Sequence, residues 1–170
     1  MRLPDKLIGF NVFKGSRLLG VADVTLPTLE YMTETLSGGG IAGETETPAL
    51  GQLSSMTISI NFRALSEEIA SFIEPAGTLL NCRGSLQKYD SATGKIIPYP
   101  CSLTVSVLPK SVELGKFEVG AATDTSIEQE ITYLKLYIDN KEICEIDKLN
   151  YICRIDGKDY LEEVRDQIGM

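Results

Sequence analysis

Histidine is absent from all 170 residues. With it go the commonest general base, the usual partner of a nucleophilic cysteine and a principal zinc ligand. The four cysteines, Cys82, Cys101, Cys144 and Cys153, include no C-x-x-C pair, so neither zinc-site nor redox spacing is present. All four lie in strand-like apolar stretches and are read as buried free thiols in a reducing compartment. No run reaches the roughly 18 apolar residues of a membrane-spanning helix. The start does not read as a secretory signal, because Pro4, Asp5 and Lys6 interrupt it and Asn11 sits in its short apolar stretch. The expectation is a chain that folds in a cytoplasm and does not insert into a membrane as a monomer. Positive charge is also in short supply: 24 acidic against 16 basic residues leave −8. The lysines and arginines are scattered among acids rather than gathered in a basic stripe, so stable nucleic-acid binding is not expected.

Other familiar chemistry fails on context. Gly38, Gly40 and Gly43 match the G-x-G-x-x-G spacing of a dinucleotide site. That site needs a helix opening at the glycines, so that backbone N–H groups face the pyrophosphate. Glu44-Thr45-Glu46-Thr47-Pro48 follows instead, a poor helix that adds negative charge. The paired acids Glu67/Glu68 and Glu162/Glu163 diverge by about 100° if helical, so they read as solvated faces. No calcium-binding loop pattern occurs. No catalytic residue, metal or cofactor is assigned.

What is present is period-two alternation, the mark of half-buried strands. Met56, Ile58, Ile60 and Phe62 alternate with Thr57, Ser59 and Asn61. Leu103, Val105 and Val107 alternate with Ser102, Thr104 and Ser106. Leu134, Leu136 and Ile138 alternate with Tyr133, Lys135 and Tyr137. Each gives one apolar and one polar face. Asp90–Gly94 predicts a hairpin turn between Leu79–Tyr89 and Lys95–Leu108, and Asp139-Asn140 another between Ile131–Ile138 and Glu142–Ile146. Pro98 and Pro100 predict an edge strand or a bulge. Val21–Leu29 and Leu53–Phe62 also read as strands.

Two short helices are expected. Ser66 is placed to cap the first, with Glu67 and Glu68 near its positive end, Ile69, Phe72 and Ile73 on its apolar face and Pro75 ending it. The second spans about 159–168, with capping-box spacing at Asp159 and Glu162 and apolar Leu161, Val164 and Ile168. Between the strands, residues 30–52 are rich in glycine and threonine and too long for an ordinary connection. They predict an arm projecting from the domain, with a second, shorter arm at about 115–124. The fold class is therefore mainly β (α+β): one domain over 1–170, an antiparallel barrel or sandwich with an internal helix, a C-terminal helix and a long Gly-rich arm.

The ordered motifs resemble a family. The start reads Lys6-Leu7, Asn11-Val12-Phe13, Gly15, Gly20-Val21-Ala22 and Val24-Thr25-Leu26-Pro27, followed by the glycine-rich arm. The end reads Glu145-Ile146-Asp147-Lys148-Leu149-Asn150, Ile155-Asp156-Gly157, Leu161-Glu162, Arg165 and Ile168-Gly169-Met170. This set is similar to the major tail tube proteins of contractile-tailed phages and R-type pyocin-like particles. Residues 50–140 share pattern more than identity.

The resemblance implies a structural subunit, not an enzyme. Such subunits form hexameric rings that stack into a hollow tube with one continuous barrel lining its channel. The implied partners are other copies of the chain, the tail sheath protein, baseplate and tail terminator proteins, and a tape-measure protein in the lumen. DNA would pass transiently, without sticking, in a phage; a bacteriocin-like particle would leave an open channel for ions. Assembly is expected in the bacterial host cytoplasm. For ring stacking the candidates are Leu36, Gly38, Gly39, Gly40 and Ile41 in the first arm, and Phe117 and Val119 in the second. The rival readings are the tube protein of a type VI secretion system, sharing the same plan, and a monomeric β-barrel binding module whose long arm grips a ligand.

Overall fold

The computed structural model describes residues 1–170. Twelve strands follow in order: β1 (Arg2–Lys14), β2 (Arg17–Leu19), β3 (Val21–Thr25), β4 (Tyr31–Ser37), β5 (Glu44–Leu53), β6 (Thr57–Phe62), β7 (Thr78–Asp90), β8 (Lys95–Glu113), β9 (Thr125–Ile138), β10 (Lys141–Asp147), β11 (Ile152–Ile155) and β12 (Lys158–Asp159). Helix α1 (Ala70–Ile73), entered through a 3₁₀ turn at Glu67–Ile69, lies between β6 and β7; helix α2 (Glu162–Ile168) ends the chain.

Ten strands form one antiparallel sheet that returns on itself. From β9 the path runs through β8, β7, β1 and β2, and β9 also pairs with β6, which pairs with β3. Only Gly20 separates β2 from β3, so one strand leaves β1 and joins β6, completing a barrel circuit of the kind that removes most free edges. On its other flank β9 changes partner, pairing with β6 through residues 125–130 and with β10 through residues 133–138. The change falls at a register shift between Ser106 and Val107 of β8. This bulge moves the buried set of β9 from Ile127, Gln129 and Ile131 to Leu134, because one extra residue exchanges the faces of a strand. A wing of β10, β11 and β12 extends the sheet beyond it.

The expected alternation packs the interior. Met56, Ile58, Ile60 and Phe62 are 0–2% exposed and Leu103, Val105 and Val107 at most 5%. Ile69 and Phe72 join this core, with the Phe72 ring centroid 6.2 Å from that of Phe62. Both helices differ from expectation at their caps. Ser66 makes no side-chain cap bond, and Ile73 is 55% exposed, because α1 is a single turn presenting only Ile69 and Phe72 inward. Helix α2 starts at Glu162, not 159. Asp159 belongs to β12; its carboxylate accepts the Leu161 N–H at 3.0 Å and pairs with Arg165 at 2.7 Å. The strand expected over Val21–Leu29 stops at Thr25, two residues before Pro27. Strand β1 was not expected: register shifts between Pro4 and Gly9 erase its alternation.

Candidate assembly surfaces

The first arm is a two-stranded hairpin. Leu36 pairs with Thr45, and Ser37 with Glu44. The tip turns at Gly38, Gly40 and Gly43, all at positive φ, where glycine avoids the Cβ clash. Ile41 N–H donates to the Gly38 carbonyl at 3.1 Å and Gly43 N–H to that of Ile41. Every residue of β4 is exposed, and Met32, Leu36, Ile41 and Leu50 are 40–59% exposed. Isolated two-stranded hairpins are marginal in water, so this one has apolar side chains and backbone edges to spare for another surface. Its base is held by Ser54 N–H to the Glu30 carbonyl at 2.8 Å and by Lys148 Nζ to the Ser54 carbonyl at 2.7 Å.

The second arm is the loop from Leu114 to Asp124. Its stem is clamped: Lys116 N–H reaches the Thr123 carbonyl at 3.0 Å, Thr123 N–H the Arg63 carbonyl at 3.1 Å, and Thr125 Oγ1 the Leu114 carbonyl at 3.1 Å. Gly115 makes the crossing possible, since a Cβ there would meet the Thr123 carbonyl oxygen at 1.8 Å. At the tip, Phe117 is 90% and Val119 fully exposed. The two arms are not brought together. The first joins the barrel at the start of β6, and the second is bonded to Arg63 just beyond its end. Six strand residues separate them by about 20 Å.

A polar face spans five strands between the arms. Register sets Asn81, Thr104, Lys135, Glu145 and Arg154 in one row across β7, β8, β9, β10 and β11. Asn81 donates to Thr104 Oγ1 at 2.8 Å, and Arg83 to Asn81 at 2.8 Å. Lys135 lies 3.1 Å from Glu145, and Arg154 3.7 Å from both Glu142 and Glu145. Hydrogen bonds to Tyr137 and Glu145 push the Lys135 pKa above its usual value, so it stays charged. Burial, then the Glu145 carboxylate, push the Tyr133 hydroxyl up. Sequence alternation indicated a polar face; it could not indicate that its cations are already engaged, because that depends on register.

Two features go beyond the sequence reading. The first is the addition of β1 to the expected β7–β8 hairpin, a three-stranded extension that carries exposed Leu3, Ile8, Tyr89 and Ile96. The second is a pair of diagonal cysteines in each half of the sheet: Cys82 beside Cys101, and Cys144 beside Cys153. All four thiols are free. Burial, with a smaller contribution from Cys101, pushes the Cys82 thiol up to about 11. Diagonal neighbours stand about 7–8 Å apart, too far for a disulfide without backbone movement.

A β-barrel that carries two exposed arms at opposite ends of one strand has the plan of a structural subunit. Residues 4–169 match the family model described as phage tail tube protein FII, and the chain belongs to that family. It is 28% identical over 176 residues to the tail tube protein of Escherichia phage P2, covering all of both chains. It is 25% identical over 173 residues to the major tail tube protein of Serratia phage KSP20, covering all of this chain and 99% of that one. Solved structures share the fold. One is an extracellular contractile injection system (PVC) sheath/tube terminator in the extended state: TM-score 0.56 at 16% identity, covering 76% of this chain and 94% of that one. Another is the anti-feeding prophage tube-terminating cap: TM-score 0.55 at 14% identity, covering 76% and 87%.

Proposed function

We propose that this tail tube subunit closes into hexameric rings that stack into a hollow tube, with the first arm as the main ring-to-ring contact. The observation that carries the reading is the β4–β5 hairpin, which exposes Met32, Leu36 and Ile41 and has no cover of its own. A heterologous contact, one end of a subunit against the other end of the next, propagates a tube when it does not close. Arms at opposite ends of β6 suit that arrangement. Gly38, Gly39 and Gly40 let the tip settle against its neighbour; Leu36 and Ile41 supply the apolar contact.

The channel is lined by the polar face of β7 to β11. Arg83, Lys135 and Arg154 there are balanced by Glu142, Glu145 and Asp147. With Lys135 and Arg154 paired to glutamates, phosphates find few free cations, and DNA slides without gripping. Six copies at −8 carry about −48, which adds a general repulsion. The sheath protein would surround the tube, a terminator and the baseplate would bound its ends, and a tape-measure protein would occupy its lumen until ejection. Solved neighbours in sheath–tube and terminator assemblies support the first two of these partners. Assembly would take place in the bacterial host cytoplasm.

The test is a deletion of Gly38–Gly43 with oligomeric state read by light scattering. The deleted chain should stay folded and fail to polymerise where the intact chain does. Normal tubes from the deleted chain would remove the first arm from the contact.

A further inference from the structure

The first arm carries charge of one sign. Residues 30–52 hold Glu30, Glu34, Glu44 and Glu46 and no lysine, arginine or aspartate. All four glutamates are exposed, and none forms an ion pair. Within one copy the base of the arm leans on the wing, where Tyr31, Pro48 and Leu50 share a crevice with Cys153 and Ile155. Beyond the base its hydrogen bonds are internal. The glutamates, Met32 and Leu36 are left without cover.

The opposite sign collects on the extension, where β1, β7 and β8 run on past the end of β9 at Ile138. Residues 2–9 and 84–101 carry Arg2, Lys6, Lys88 and Lys95 against Asp5 and Asp90, four basic to two acidic in a chain of net −8. Lys88 is held by Asp139 at 2.9 Å. The others are less engaged: Lys95 forms no ion pair, Lys6 meets its neighbour Asp5 at 3.7 Å, and Arg2 meets Asp90 at 3.8 Å. Exposed pairs of this kind contribute little and exchange readily. Register sets Leu3, Tyr89 and Ile96, all exposed, in one row at the tip. The outer edge is also open: β2 covers only Val12 to Lys14, and Arg2 to Gly9 are exposed.

Open edges invite pairing with other chains, and charge decides which. Two β1 edges would set Arg2 and Lys6 against their like, and two β4 strands would do the same with Glu34. β4 against β1 sets opposite signs together, with apolar side chains on both. β5 is the poorer partner, since Pro48 lacks the N–H that a ladder needs. Pro4 and the register shifts in β1 limit the ladder on its side, so charge and apolar contact specify the pairing more than backbone bonds do. We propose that β4 of one copy docks along the open β1 edge of a copy in the next ring, its glutamates against Arg2, Lys6 and Lys95. The proposal rests on the reading of the first arm as the ring-to-ring contact, and it names the surface that receives the arm.

Paired charge reversals test it, read as the critical concentration for polymerisation, with baseplate and sheath components as nuclei where the chain needs them. One variant is Arg2→Glu/Lys6→Glu, another is Glu34→Lys/Glu46→Lys, and a third combines the two. All four side chains are exposed, so each variant should unfold as the native chain does. Each reversal alone should raise the critical concentration about ten-fold, because like charges then face each other across the contact. The combined variant should return it to near the native value. Lys141→Glu/Lys158→Glu, at exposed positions outside both regions, lowers the net charge as much as the β1 variant and should have no such effect. A β1 variant that polymerises like native, a combined variant no better than either reversal alone, or the same loss from the control would remove β1 as the receiving edge. The arm reading would still stand if Glu34→Lys/Glu46→Lys and the Gly38–Gly43 deletion both fail to assemble. A native chain that never assembles, even with baseplate and sheath components, would overturn both.

Discussion

Gly51 lies against Leu161: a Cβ built on Gly51 would meet Leu161 Cγ and Cδ2 at 2.6 Å, and Gly51 itself holds φ +64°. The contact joins the base of the first arm to the segment leading into α2. It makes the direction of the arm depend on the C-terminal segment. Gly51→Ala meets both the positive φ and the clash. It should lower stability by about 1–2 kcal/mol, the cost of left-handed backbone for a residue with a Cβ. It should also impair tube formation out of proportion. Denaturant unfolding beside light scattering checks both; assembly unchanged at full stability would show that the arm is aimed by something else.

Phe72 plugs the core beside Phe62, with the Lys14 ammonium 5.5 Å from its ring centroid. Phe72→Ala should cost about 3–5 kcal/mol, the usual range for emptying a buried aromatic site. Because α1 lies far from both arm tips in the chain, the loss should appear in urea midpoint before it appears in assembly at low temperature.

Charge balance on the polar face gives a sharper forecast. Glu142 and Glu145 together partner Lys135 and Arg154, so the double change Glu142→Gln/Glu145→Gln frees two cations per subunit. Thr104→Lys adds a cation in the same row, next to Asn81 and Lys135. Tubes of either variant should retain duplex DNA at low salt and release it at high salt, as counterion release requires; native tubes should retain none. DNA retention that does not differ from native would mean that this face does not line the channel. Ser59, on β6 beyond this row, should tolerate lysine without the effect.

The Asp159–Arg165 pair sets a pH dependence. Burial raises the Asp159 carboxyl, but the Arg165 hydrogen bond and charge and the Leu161 N–H outweigh it, leaving the pKa below 3.8. A carboxyl held below its unfolded value contributes stability above the unfolded pKa, and that contribution is lost as pH falls through the folded value. Asp159→Asn should therefore lower the thermal midpoint at neutral pH, with the difference from native shrinking as pH drops below 3.8. A difference that persists in acid would assign the effect to packing instead.

The barrel was legible where a strand has one wet and one dry face. The alternations at Met56–Phe62 and Leu103–Val107 fall on buried positions because β6 and β8 pack on one side only. β1 was hidden because its bulges break the period, and the small wing strand β12 because two residues carry no period at all. The second helix was extended too far since Asp159 has the sequence of a cap and the job of an ion-pair partner in β12. The candidate site was readable only as residue types: exposed glycine and apolar residues at Leu36–Ile41 and at Phe117 and Val119. That the two arms leave opposite ends of β6 depends on pairing between distant strands, which local spacing does not encode.

The most direct test of the central claim is electron microscopy of the purified chain across a concentration series, alone and with baseplate and sheath components. The account predicts rings or hollow tubes with six-fold end views. Particles that stay monomeric under every one of these conditions would contradict it and favour a monomeric barrel that uses its long arm to hold a ligand.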